Sequence, residues 1–271
     1  MSEFFTVSRE TGYAHIALSR PDAANALGAG FWTEFPDAVR ALEADPGVRA
    51  LIITGQGRNF CGGLDVTSFS GLGGCSTPQE RAEFRRHLVV MQKALDALEE
   101  SRLPVIAAIQ GACVGAGLDL VLACDIRIAA ENAYFGVEET NLALVADLGS
   151  LQRGLHHLPF GIMAELAYTG RRAPAAEMMG FGLLNAVTPD IDAAIEKAAG
   201  IASQIARKSP LTIGGVKRNL IHARDASVAE GLKFVADWNA AMFSPEEIAE
   251  ALTARAEKRE PGFSILAGKE D

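Results

Sequence analysis

Cysteine is scarce in this chain: four in 271 residues, at positions 61, 75, 113 and 124. None falls in a C-x-x-C pair and the five histidines form no H-E-x-x-H, so the sequence offers no familiar metal site and none is expected. Cys113 and Cys124 lie inside apolar runs, where a free thiol packs as a small core residue, and a reduced environment is expected. Aromatic residues make up only 7% of a chain that is 49% hydrophobic. Its apolar content is therefore mostly aliphatic, and with a mean hydropathy of +0.14 it implies a large aliphatic core plus a buried subunit interface. Positive charge is in deficit, with 25 Lys and Arg against 34 Asp and Glu, a net −9. Such a surface repels phosphate backbones and anionic membranes, so neither nucleic acid nor membrane is an expected partner. Neither G-x-G-x-x-G nor G-x-x-x-x-G-K-[ST] occurs in a workable context. The opening MSEFFTVSRE lacks the basic and apolar regions of a signal peptide, and the closing AGKED is not S-K-L, so a cytoplasmic location is expected.

Long hydrophobic runs are also few. Residues 105–124 carry only Gln110 and Asp119 as polar groups, enough length to span a bilayer. Three glycines, the preceding Pro104 and the following Asp125 and Arg127 instead predict a buried strand, a glycine turn and a buried helix. Around it the chain alternates β-rich and helical patterns. A hairpin is predicted from 4–9 and 13–19, a helix over 30–44, a strand over 50–55 and a glycine-rich loop over 57–70. A long helix capped by Ser76 or Thr77 runs to about 100, followed by strands at 104–109 and 125–129 with a helix at 115–123 between them. Beyond about 150 the pattern is almost wholly helical, with helices at 161–168, 175–181, 191–208, 210–223, 227–242 and 244–258. The prolines at 174, 210 and 245 fall at first-turn positions. The fold class read from this is α/β with parallel pairing, a core over 1–200 and a helical part over 201–271.

What the chain does contain is three carboxylates in apolar surroundings: Asp119 in VGAGLDLVLACD, and Glu139 and Asp147 in FGVEETNLALVADLGSLQR. Carboxylates are costly to bury without a partner. Each has an ordinary alternative, since Asp119 could cap a turn, Glu139 start a helix and Asp147 cap a helix near Gly149. Two glycine loops accompany them, Phe60-Cys61-Gly62-Gly63-Leu64-Asp65 and Gly111-Ala-Cys-Val-Gly-Ala-Gly117. Such loops either make tight turns only or present backbone N–H groups as a two-donor oxyanion hole. Taken with several buried acids, the second use fits stabilisation of a thioester enolate while protons move nearby.

From Thr6 to at least Arg259 the chain resembles the crotonase, or enoyl-CoA hydratase/isomerase, superfamily. Arg20-Pro21 with Asn25-Ala-Leu27, the loop from Phe60 to Asp65 and residues 104–125 match its signature stretches. The resemblance implies a crotonase-like spiral of repeated strand–helix (ββα) units. It also implies oxyanion amides from Leu64 and Ala116, and C-terminal helices that assemble a homotrimer, often paired into a hexamer. Hydratases of this family hold a catalytic water between two glutamates. Here those positions carry Asp119 and Glu139, and Asp147 replaces a hydratase glycine.

Asp, Glu and Asp at these places resemble the dienoyl-CoA isomerases of the superfamily, as do DLVLACDIR, LALVADLGSLQR, KSPLTIGGVKRNL and ARDASVAEGLKFVADWN. The implied reaction converts a 3,5-dienoyl-CoA to the 2,4-diene, with Asp147 at C2, Glu139 at C6 and Asp119 polarising the others. Coenzyme A would enter as part of the acyl-CoA substrate rather than as a resident cofactor, against Phe60, Cys61, Gly62, Asp65 and the basic Arg58. Three alternatives carry other chemistry. A hydratase would use Asp119 and Glu139 around a water, though Asp119 is one methylene short. A non-catalytic binder of CoA thioesters or RNA would have little use for three acids. A hydrolase built on Ser150, His156 and His157 lacks the G-x-S-x-G elbow.

Overall fold

The computed structural model describes residues 2–65, 67 and 75–263. Its strands are β1 (Phe5–Glu10), β2 (Tyr13–Leu18), β3 (Leu51–Gly55), β4 (Val105–Ile109), β5 (Ala112–Val114), β6 (Ile126–Ala130), β7 (Tyr134–Gly136), β8 (Ala173–Pro174) and β9 (Ala186–Thr188). The helices are α1 (Phe31–Ala44), α2 (Pro78–Glu100), α3 (Ala116–Leu122), α4 (Ser150–Gly154), α5 (Phe160–Thr169), α6 (Ala175–Gly180), α7 (Ile191–Ala206), α8 (Pro210–Asp225), α9 (Val228–Met242) and α10 (Pro245–Glu257). One sheet has the order β1-β2-β3-β4-β6-β9 and a second the order β5-β7-β8. Only the β1–β2 hairpin is antiparallel in the first sheet; the other pairings are parallel.

Parallel strands need crossovers; the one from β2 to β3 runs through α1, and each of the next three visits the second sheet. The chain leaves β3, bridges from Cys61 to Cys113 and enters α2; it leaves β4 for β5 and then α3; it leaves β6 for β7 and then α4. Three turns of strand, strand and helix thus wind into one spiral, the expected architecture. β3 and β4 are buried along their whole length, as strands covered on both faces must be. On one face Ala194, Ala198 and Ala202 of α7, one per turn, pack against Ile52, Ile106 and Ile128, where their small size lets the helix lie close. On the other face Phe31, Phe35, Leu95, Leu98 and Leu120 join the larger core cluster.

Thr77 caps α2 in a reciprocal box: its hydroxyl accepts from the Glu80 amide (3.2 Å) while Glu80 accepts from the Thr77 amide (2.8 Å). Of the expected glycine-rich loop over 57–70, residue 66 and residues 68–70 lie outside the described residues, as does the C-terminal AGKED.

The structure departs from the sequence reading in its short strands, β5 and β7 among them. The region expected to be almost wholly helical contains β8 and β9, and Pro174 sits in extended backbone paired with Tyr134 rather than in a first helical turn. Strands of two or three residues carry no readable alternation and exist because a neighbour pairs with them. The run 105–124 divides into β4, β5 and α3. Among the described residues no helix is long and apolar enough to cross a membrane, and no group of three His, Cys, Asp or Glu side chains could hold a metal ion.

Candidate active site

The two glycine loops are zipped together by backbone hydrogen bonds. Phe60 N donates to Gln110 O (2.7 Å), Cys61 N to Ala112 O (2.9 Å) and Val114 N to Cys61 O (3.1 Å). Asn25, buried and at φ 55, anchors the first loop by donating from Nδ2 to Gln56 O (2.9 Å) and Asn59 O (2.8 Å). Gly63 then lies against Gly115, and a Cβ placed on it would stand 3.8 Å from the Ala116 amide nitrogen. Neither the Leu64 nor the Ala116 amide donates to an acceptor among the described residues. Ala116 opens α3, where the first N–H groups have no intrahelical partner. The pair that the resemblance assigns to an oxyanion hole is therefore brought together with both donors available.

Glu139 reaches the same place from the other side. It begins a 3-10 turn, Glu139–Leu142, held by Thr140 Oγ1 donating to Ala167 O (2.6 Å) and by Asn141 Nδ2 donating to Gly170 O (3.0 Å). A Cβ on Gly115, which has φ 53, would lie 3.4 Å from Glu139 Oε1. Only glycine both takes that backbone conformation readily and leaves the carboxylate its room.

Asp119, fully buried in α3, accepts through Oδ1 from the Ser150 amide (2.5 Å) and hydroxyl (2.7 Å). Its Oδ2 and Glu139 Oε2 are buried with no hydrogen-bond partner among the described residues. Asp147 is half-buried before α4, and its carbonyl accepts from Gln92 Nε2 of α2 (2.7 Å).

All three carboxyls hold protons more tightly than usual. Burial pushes Asp119 up to about 7, Ser150 opposes the rise and the Glu139 charge adds to it. Burial raises Glu139, with Asp147 adding to it, and burial raises Asp147. Repulsion thus passes from Asp147 through Glu139 to Asp119, the most enclosed of the three. Adjacent carboxyls kept in different protonation states are what paired acid and base roles require. The arrangement can take a proton at one carboxyl, deliver one from another and hold a developing oxyanion on two amides.

The family model described as Enoyl-CoA hydratase/isomerase matches residues 8–265. The chain belongs to the enoyl-CoA hydratase/isomerase family. The Δ3,5-Δ2,4-dienoyl-CoA isomerase of Arabidopsis thaliana, a peroxisomal protein by name, is 39% identical over 269 residues, 97% of each chain. The mitochondrial enzyme of that name from Homo sapiens is 35% identical, covering 91% of this chain and 76% of its own. The crystal structure of an enoyl-CoA hydratase from Bacillus anthracis superposes with a TM-score of 0.88 at 31% identity, covering 96% and 98% of the two chains. The peroxisomal and mitochondrial names overturn the expected cytoplasmic location. That expectation rested on the lack of recognised address motifs, which is a weak signal.

The residues expected to meet coenzyme A divide. Phe60 and Cys61 have fully buried side chains and amides committed to the ladder between the loops. Gly62 and Arg58 are exposed, and Asp65 is half-buried and paired with Arg20 (2.9 Å). The hydrolase grouping does not assemble. Ser150 gives its hydroxyl hydrogen to Asp119, His156 faces Asp225 at 3.9 Å and His157 Nδ1 lies 3.4 Å from Arg127. His157 is half-buried; burial, with Arg127 adding to it, pushes its pKa down to about 4. Gln92 carried no sequence signal, because its role depends on a contact across 55 residues.

Two outcomes follow from this geometry. A Cβ at Gly117 would lie 2.7 Å from both Cβ and carbonyl oxygen of Cys61, so Gly117→Ala must part the two loops. It will lower stability by about 1–3 kcal/mol and lower kcat well beyond that of a surface control, as thermal melting and steady-state kinetics will show. Asp119 has a folded pKa above its unfolded value, so the stability it contributes is complete below about pH 4 and lost as pH rises through about 7. Urea midpoints measured from pH 4 to 8 will fall more steeply with pH for the wild type than for Asp119→Asn.

Proposed function

We propose that the protein isomerises 3,5-dienoyl-CoA thioesters to 2,4-dienoyl-CoA thioesters. The observation that carries this reading is the gathering of Asp119, Glu139 and Asp147, all with raised proton affinity, beside two adjacent amides that have no acceptor among the described residues. The relatives that bear the dienoyl-CoA isomerase name support it. The C2–H bond of a 3,5-dienoyl thioester is acidic because its electrons delocalise onto the thioester oxygen and along the chain to C6. Asp147, half-buried and the start of the repulsion chain, takes the C2 proton as the anion. The N–H groups of Leu64 and Ala116 hold the enolate oxygen, a contribution of about 3–4 kcal/mol per donor in comparable sites. Glu139 gives its proton to C6, leaving the double bonds at 2 and 4. Return of the Asp147 proton through solvent and reprotonation of Glu139 restore the enzyme with no net change of atoms.

The coenzyme A portion lies along the exposed Gly62 with Arg58 and Asp65 at the rim, on a loop shaped by Phe60 and Cys61. Residues 201–271 assemble the trimer and pair trimers into hexamers. Leu220, Val228, Leu232, Phe243 and Leu252, all exposed on the C-terminal helices and the turn between α9 and α10, supply the apolar surface for it. Turnover in deuterium oxide enriched in oxygen-18 tests the chemistry. Solvent deuterium at C6 with no heavy oxygen is the expected product label; oxygen-18 at C3 would mean hydration and would sink the reading.

A further inference from the structure

The two oxygens of Asp119 are treated unequally. Oδ1 accepts two hydrogen bonds, from the amide and hydroxyl of Ser150 at 2.5 and 2.7 Å, while Oδ2 is buried and has no partner among the described residues. A carboxyl oxygen that already accepts two donors is a poor seat for a proton, and a protonated carboxyl has one O–H to place. We propose that Ser150 is a positioning residue: by holding Oδ1 with two donors it commits the Asp119 proton to Oδ2 and orients that carboxyl in the site it shares with Glu139. Ser150 is itself fully buried, so its hydroxyl has no competing water.

The charged and titratable groups that face Asp119 come from every side of the site. They are Glu139 on the 3-10 turn, Arg153 on α4, and the thiols of Cys61 after β3 and Cys113 on β5. Burial holds both thiols neutral, with the Cys61 pKa pushed up to about 12. Arg153 is already committed to Asp96 (2.5 Å) and Glu99 (3.1 Å) of α2. Among the described residues Ser150 alone therefore decides between the two oxygens. The consequence for catalysis rests on the dienoyl-CoA reading. Once Glu139 has given its proton to C6, the neutral Asp119 offers its Oδ2 hydrogen to steady the new carboxylate. No bond to Asp119 is broken.

Infrared difference spectra over a pH titration read the Asp119 carboxyl without any substrate. The wild type is expected to show a protonated-carboxyl band, absent in Asp119→Asn, that fades with a midpoint near 7. Ser150→Ala removes a donor that favours the anion, so the midpoint must rise, and the carbonyl band must move to higher frequency as Oδ1 loses a hydrogen bond. Ser150→Thr, which keeps the hydroxyl, restores both. In turnover of 3,5-dienoyl-CoA, Ser150→Ala lowers kcat about 10-fold at constant KM, and adds no loss in an Asp119→Asn background. A band whose midpoint and frequency ignore Ser150→Ala overturns the proposal. Wild-type protein that shows the band and its shift but turns over no dienoyl-CoA leaves the Ser150 clamp standing and removes the substrate reading instead.

Discussion

Asp147→Asn will lower kcat for 3,5-dienoyl-CoA by about 10²–10⁴-fold, the usual loss when a positioned acid or base is removed, while KM stays within a few-fold. Asparagine keeps the shape of the side chain, and the backbone carbonyl that binds Gln92 is untouched. The change removes only the ability to accept a proton. Glu139→Gln will cost a similar factor for the opposite reason, because glutamine has no acidic proton to deliver. In the double variant the losses will fall well short of the product, since both residues serve one transfer sequence. Stopped-flow and steady-state kinetics on the three proteins, with thermal melts to confirm folding, check this. Single variants that retain full turnover would move the proton chemistry elsewhere.

Lys217→Met will be the most damaging single change to stability among those considered, at about 3–5 kcal/mol. Lys217 lies on α8 with only 4% of its surface exposed, and its Nζ spends all three hydrogens: on Leu98 O (2.6 Å), Leu103 O (2.8 Å) and Asp125 Oδ2 (2.8 Å). The same Asp125 oxygen accepts from the Val105 amide (2.7 Å), so one ammonium ties α8 to the end of α2, the start of β4 and the turn before β6. Methionine fills much of the volume but leaves two carbonyls without a donor and an aspartate without its counter-charge. At roughly 2–4 °C per kcal/mol for a chain somewhat smaller than this one, Tm should drop by about 10 °C. Adding Asp125→Asn should recover part of it, because the remaining partner is no longer a stranded charge. A Tm within a degree or two of wild type would mean that α8 is held by other contacts.

These two cases mark what could be read from the chain. Asp119, Glu139 and Asp147 stood out because charged groups in apolar runs are expensive, and the glycines of the two loops stood out because they break such runs. The hairpin, α1, α2 and the C-terminal helices were legible from periodicity and caps, as Thr77 with Glu80 illustrates. What remained hidden depended on distant partners: Ser150 with Asp119 across 31 residues, Lys217 with Asp125 across 92 and Arg127 with His157 across 30. No local pattern encodes such pairs. The short strands β8 and β9 escaped for the same reason, since each exists only through the strand beside it. Phe60 and Cys61 stood in the loop expected to meet coenzyme A, but only the folded chain reveals that their side chains turn into the core.

The most direct measurement is a paired assay of the purified protein with a 3,5-dienoyl-CoA and with crotonyl-CoA. A conjugated 2,4-dienoyl product from the first and little consumption of the second are expected. Rapid hydration of crotonyl-CoA with no diene conversion would contradict the isomerase reading, and would leave Asp147 a substitution without a catalytic task.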